Sequence, residues 1–151
     1  MINHKIAKFI HDEVTRQGHV EYVDRTMRCI WMGQAWRYAQ RKNDADLPIT
    51  KPVIIKLGKL VEPIWNADGF RCIGVGVGGW EAPDPEEVRG LLDSWLKRLP
   101  GLVADEAYRE YELIHPFRDG NGRTGKIIHN WLLNKLDEPV LVQDFFGHGV
   151  P

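Results

Sequence analysis

The chain has 151 residues, 43% hydrophobic and 27% charged, with 20 Lys plus Arg set against 21 Asp plus Glu for a formal net charge of −1. That balance suits a single domain over residues 1–151, long enough to bury a hydrophobic core without crosslinks. It offers no bulk charge to draw in nucleic acid or an anionic membrane.

The opening run MINHKIAKFIHDE is interrupted at His11, Asp12 and Glu13 before it could serve as a signal peptide or span a bilayer. The expected location is therefore the cytoplasm, although export by a dedicated secretion system would leave no mark in these residues. Cys29 and Cys72 form neither a CxxC pair nor a disulfide framework, which fits a reducing compartment and two buried thiols. Ile6, Phe9, Ile10 and Val14 recur at helical spacing before Gly18, predicting a first helix over about residues 4–17. Val20, Val23, Met27, Ile30, Trp31, Ala35 and Tyr38 carry the same period along a long second helix, until the polar stretch 41–46. Thr50 can cap a third helix striped by Val53, Leu57, Leu60, Val61 and Ile64, with Pro63 at its end.

Residues 65–82 change character, and the alternation from Cys72 to Val77 after Asp68-Gly69 predicts a short β-hairpin. Asp84, Pro85, Glu86 and Glu87 supply a cap, a first-turn proline and acidic residues for a further helix. Its predicted face is Val88, Leu91, Leu92, Trp95, Leu96 and Leu99. A helix from about Val103 to Ile114, with Ala107, Tyr108, Tyr111 and Ile114 inward, delivers the chain to His115. A last helix begins near Asn121 and carries Ile127, Ile128, Trp131, Leu132 and Leu136.

Between these two helices lies HPFRDGNGRTGK, residues 115–126. Pro116 blocks helix continuation, so the His115 imidazole is expected to be presented at the helix end and not packed. Asp119 stands in a glycine-rich turn where a carboxylate could hold Mg2+ bridging two phosphates. Gly120, Asn121 and Gly122 let backbone N–H groups converge at the N-terminus of the next helix, whose dipole favours an anion. Arg123 can reach back with a forked donor set to neutralise phosphate charge. A base, a metal-binding carboxylate, an anion nest and an arginine describe phosphate-transfer chemistry to a hydroxyl, and by themselves leave the reaction open. His4, His11, His19, His129 and His148 show no metal-ligand spacing with cysteines or carboxylates, so no zinc site is expected.

This stretch resembles the active-site signature of the Fic family: His-Pro-Phe, any residue, Asp or Glu, Gly-Asn-Gly-Arg, two further residues, Arg. The similarity extends over roughly residues 50–137, with GFRC at residues 69–72 like the family's strand start and the hairpin at 70–80 like its flap. It implies an all-α Fic-like helical domain with a small β-hairpin flap next to the active-site loop. The implied activity is protein adenylyltransfer, moving AMP from ATP with Mg2+ to a Ser, Thr or Tyr hydroxyl of a target protein. His115 would take the hydroxyl proton, Asp119 would bind Mg2+, Gly120, Asn121 and Gly122 would hold phosphates, and Arg123 would contact phosphate as pyrophosphate leaves. Val75, Gly76, Val77, Gly78 and Gly79 would dock the target by strand addition. Lys126 stands where the signature closes with an arginine, and would bring a point charge to the ATP phosphates in place of a fork.

Many family members carry an inhibitory helix with Ser or Thr, three residues, Glu, then Gly or Asn, and this chain has no such run. The resemblance then implies a toxin inhibited by a small antitoxin-like protein in trans, or not inhibited at all. Two other readings stay open: a Doc-type protein kinase, against which Gly122 argues because that branch carries Lys there, and a non-catalytic nucleotide- or partner-binding module.

Overall fold

The fold is given by a computed structural model, which describes residues 2–77 and 79–144. Six helices are arranged in chain order: α1 His4–Arg16, α2 Tyr22–Asp44, α3 Lys51–Val61, α4 Val88–Arg98, α5 Ala104–Ile114 and α6 Asn121–Leu132. Two strands of two residues, β1 Gly76–Val77 and β2 Trp80–Glu81, pair antiparallel between α3 and α4. The all-α architecture with one small hairpin is the one the sequence implies.

Helix α6 is the centre of the bundle, packing on α2, α3 and α5 and burying every residue from Asn121 to Trp131. Around it the core joins Ile6, Ile10 and Val14 of α1, Trp36 of α2, Leu57 of α3, Trp95 of α4 and Tyr111 of α5. The chain after α6 returns along α2, where Trp36 Nε1 donates to the Leu136 carbonyl at 2.7 Å and Gln40 donates to Asp137 at 2.8 Å.

Local chemistry sets most helix starts. The Asn3 side chain accepts from Ile6 N–H at 2.9 Å, and Thr50 caps α3 through Val53 N–H. Asp84 departs from expectation: its side chain makes no cap bond, and a 3-10 turn over Pro85–Glu87 precedes α4. Helix α2 departs further. Val20, Val23, Met27 and Ile30 share a helical period yet are exposed, and α2 buries Met32, Ala35, Trp36, Ala39 and Gln40 instead. Among the described residues, its apolar side chains are covered in the C-terminal half only. Ile64 lies past the end of α3 and is exposed, and of the two thiols Cys29 is half-buried and Cys72 exposed. No helix among the described residues is long and apolar enough to cross a membrane.

Candidate active site

Helix α5 ends at Ile114, and His115 follows in the left-handed region at φ 52° and ψ 61°. Its N–H still closes the helix on the Tyr111 carbonyl at 3.0 Å, while Pro116 can add no donor. His115 is only 2% exposed, so its side chain is packed at the helix end and not presented on the surface as the sequence suggests. Its Nδ1 lies 3.2 Å from the Glu112 carbonyl, an acceptor only, so Nδ1–H donates and Nε2 carries the lone pair. Burial pushes the His115 pKa down, the Arg71 charge adds to that, and the Glu112 carbonyl and Asp119 oppose it. The Trp80 ring from β2 stands edge-on to the imidazole, centroids 6.2 Å apart.

The loop from Phe117 to Gly120 is clamped from inside. Asn121 Oδ1 accepts from Phe117 N–H and its Nδ2 donates to the Phe117 carbonyl, both at 2.8 Å. Phe117 is fully buried against Phe70, and a Cβ at Gly58 would overlap its ring, so that glycine is required for the loop to seat. Asn66 donates to the Asp119 carbonyl at 2.8 Å and to the Gly58 carbonyl at 3.0 Å, tying the loop to α3. Gly120 adopts φ 78° as the residue before α6, and its N–H donates to Asp119 Oδ1 at 2.7 Å. The amides of Asn121, Gly122 and Arg123 then have no intrahelical acceptor and point out of the helix start.

Arg123 is 1% exposed, with Nη2 2.9 Å from Glu62 Oε1 and 3.6 Å from Asp119 Oδ1. Its Nε, Nη1 and Nη2 are all buried with no hydrogen-bond partner among the described residues, so Nη2 meets Glu62 as an ion pair only. Glu62 holds a second guanidinium, accepting from Arg28 Nε at 2.7 Å. Gln17 lies against the same helix start, its Nε2 2.9 Å from where a Cβ on Gly122 would stand.

The structure therefore brings His115, Asp119, Gly120, Asn121, Gly122 and Arg123 together. Lys126 is fully buried in an ion cluster, donating to both carboxylate oxygens of Glu13, with 2.9 Å to Oε2, and to Asp144. Arg16 completes that cluster on Glu13 and Asp144. Val75, Gly76, Val77 and Gly79 lie in or beside the hairpin, whose register pairs Gly76 with Glu81 and Val77 with Trp80, and Gly78 lies outside the described residues.

Arg71 is the residue whose role the sequence conceals. It donates to the carbonyls of His115 at 2.6 Å, Pro83 at 2.6 Å, Ile73 at 3.1 Å and Ile114 at 3.4 Å. A buried guanidinium thus caps the C-terminus of α5 and ties the hairpin segment to the His115 loop. Its only sequence signal is an arginine inside an otherwise apolar, glycine-rich stretch. Because an ammonium cannot fork across four carbonyls, Arg71→Lys is expected to lower folding stability by about 2 kcal/mol. Denaturant unfolding measures it, and an unchanged midpoint would refute the tie.

The Fic/DOC family profile matches residues 2–133. The chain is 37% identical over 98 residues to "Protein adenylyltransferase Fic" of Aedes aegypti, covering 58% of this chain and 19% of that protein. It is 32% identical over 133 residues to the protein of the same name in Drosophila persimilis, covering 80% of this chain and 26% of that one. Among solved structures, Fic-1 from C. elegans superposes with a TM-score of 0.76 at 18% identity, over 94% of this chain and 52% of that one. A Fic domain containing signaling protein from Bacteroides thetaiotaomicron gives 0.68 at 19% identity, over 92% and 68%. The chain thus spans only a fraction of the curated relatives it matches, while the family profile covers the loop described above. With the family profile over most of its length and the fold of these structures, the chain belongs to the Fic/DOC family.

Proposed function

We propose that this chain, as a single Fic-like domain, is a protein adenylyltransferase that moves AMP from ATP to a Ser, Thr or Tyr hydroxyl of a target protein. The observation that carries the reading is Arg123, a buried guanidinium whose three nitrogens make no hydrogen bond among the described residues, beside a helix start whose first amides point outward. Such a group demands an anion, and an oligophosphate fits the helix dipole and the fork together. The names of the Aedes and Drosophila relatives agree with it.

Each side chain then has a task. Nε2 of His115 takes the proton of the target hydroxyl, whose oxygen attacks the α-phosphorus as the bond to pyrophosphate breaks. Asp119 suits Mg2+: Oδ1 is occupied by the Gly120 amide, and Oδ2 is a hard oxygen with no protein donor among the described residues. Mg2+ held there would neutralise phosphate charge. The amides from Asn121 to Arg123 receive the phosphates, Arg123 stabilises the departing charge, and Lys126 reaches phosphate only by leaving its cluster with Glu13 and Asp144. The outer edge of β1 has no strand partner among the described residues, which supports docking of target backbone along Val75, Gly76, Val77 and the turn after them. Inhibition by a small antitoxin-like partner, and work in the cytoplasm, complete the proposal.

Purified chain incubated with Mg2+, a cell lysate and ATP labelled at the α- or the γ-phosphate tests this. Protein label from α-ATP only is expected. Label from γ-ATP only would replace the reading with phosphotransfer, which Gln17 opposes by filling the space a longer residue at Gly122 would need. Neither label, with nucleotide-dependent thermal stabilisation, would favour the binding module.

A further inference from the structure

His19 lies in the turn between α1 and α2, Glu62 just past α3 and Asp119 in the loop before α6, yet one ligand atom of each lies within 4.8 Å of the other two. We propose that these three side chains form a metal site that takes a divalent transition ion, Mn2+ or Zn2+, in the absence of nucleotide. Local sequence spacing could not reveal it, because each ligand comes from a different segment.

Glu62 supplies the second observation. The residue is fully buried, and its Oε1 serves both Arg28 Nε at 2.7 Å and Arg123 Nη2 at 2.9 Å. Its Oε2 is buried with no partner among the described residues. A carboxylate oxygen in that position lacks a donor, and a cation supplies one. Both guanidiniums can stay on Oε1, which leaves Oε2 for the ion.

His19 has a carboxylate behind its ring. Its Nδ1 lies 3.1 Å from Asp24 Oδ2, so Nδ1–H donates to the carboxylate and Nε2 carries the lone pair. A carboxylate behind the imidazole fixes its ring and raises its basicity, the usual support of a metal-binding histidine. Asp24 is itself held by Arg28. Three carboxylates, Asp24, Glu62 and Asp119, face two guanidiniums, Arg28 and Arg123, so the pocket accepts positive charge.

One nitrogen and two carboxylate oxygens suit Mn2+ or Zn2+ better than Mg2+, which prefers oxygen and keeps its waters. Ligands about 2.1 Å from one ion stand at most about 4.2 Å apart, so even the widest separation allowed closes by about 0.6 Å. Asp119 is common to this site and to the nucleotide-borne Mg2+ of the proposed function, whereas His19 and Glu62 belong to this one alone.

The test titrates the full chain with MnCl2 alone, reading free Mn2+ by electron paramagnetic resonance, with MgCl2 in parallel by calorimetry. One Mn2+ per chain is expected, bound at least about tenfold tighter than Mg2+ and weakened at least about tenfold by His19→Gln or, with all three ligands retained, by Asp24→Asn. Circular dichroism checks the fold of each variant, and Asp24→Asn decides if His19→Gln does not fold. No uptake without nucleotide, or uptake unchanged in the folded variants, would overturn the site. Because neither ATP nor target is present, these outcomes are independent of whether the chain transfers AMP.

Discussion

Replacing His115 with alanine is expected to reduce AMP transfer by about 10²- to 10⁴-fold, the usual contribution of a positioned general base. The substitution also places a residue that disfavours positive φ at φ 52°, so part of the loss could come from a displaced loop. His115→Asn separates the two effects, because asparagine tolerates that backbone region while having no basic nitrogen. Both variants should lose transfer alike, with His115→Asn unfolding closer to wild type. An active His115→Asn would remove His115 from the chemistry.

The same residue sets a pH dependence whose sign follows from its environment. Burial, reinforced by Arg71, holds the His115 pKa below the ordinary histidine value, so the base stays neutral into mildly acidic solution. The acid limb of kcat/KM should therefore fall at a pH below the usual histidine range. For stability the folded pKa is depressed. Above the unfolded value both states are neutral. As pH falls through it, the unfolded chain gains a proton the folded chain refuses, and stability declines until the folded pKa is passed.

Much of this was legible because it is local. The candidate site from His115 to Arg123 is one contiguous run, and the proline, the glycines and the helix start each act on their neighbours. Helix α1 was legible for the same reason, its stripe Ile6, Phe9, Ile10 and Val14 being its buried face. Periodicity failed on α2, because a stripe identifies a buried face only where another element covers it, and Val20, Val23, Met27 and Ile30 have no such cover among the described residues. It also could not assign partners across the chain. Arg71 binding the end of α5, Glu62 joining Arg28 to Arg123 and Gln17 lying on Gly122 all link segments that no local rule connects. One signal was available: Glu13 falls on the apolar face of α1, and a charge there requires a buried partner.

That partner is Lys126, and Lys126→Met is expected to cost about 3–5 kcal/mol of folding stability, the scale for removing one member of a buried pair. Lys126 and Glu13 are each fully buried, and Asp144 joins from the segment after α6. Arg16 alone would then have to balance both carboxylates. Nearby Glu112 is already pushed up to about 8 by burial, with Lys126 opposing and Asp144 and Glu13 adding to the rise, so losing the lysine favours its proton further. Glu13→Gln should relieve part of the penalty, and a double-mutant cycle should return a coupling of about 1–3 kcal/mol between the two positions. Lys126→Arg keeps the charge and should stay within about 1.5 kcal/mol of wild type, the cost being the larger head group in a packed site. Equilibrium unfolding in urea reads all four variants. A loss below about 1 kcal/mol for Lys126→Met would mean that solvent screens the cluster as it does a surface pair. A large loss with measurable coupling would place Lys126 first in the framework of the fold, binding α6 to α1.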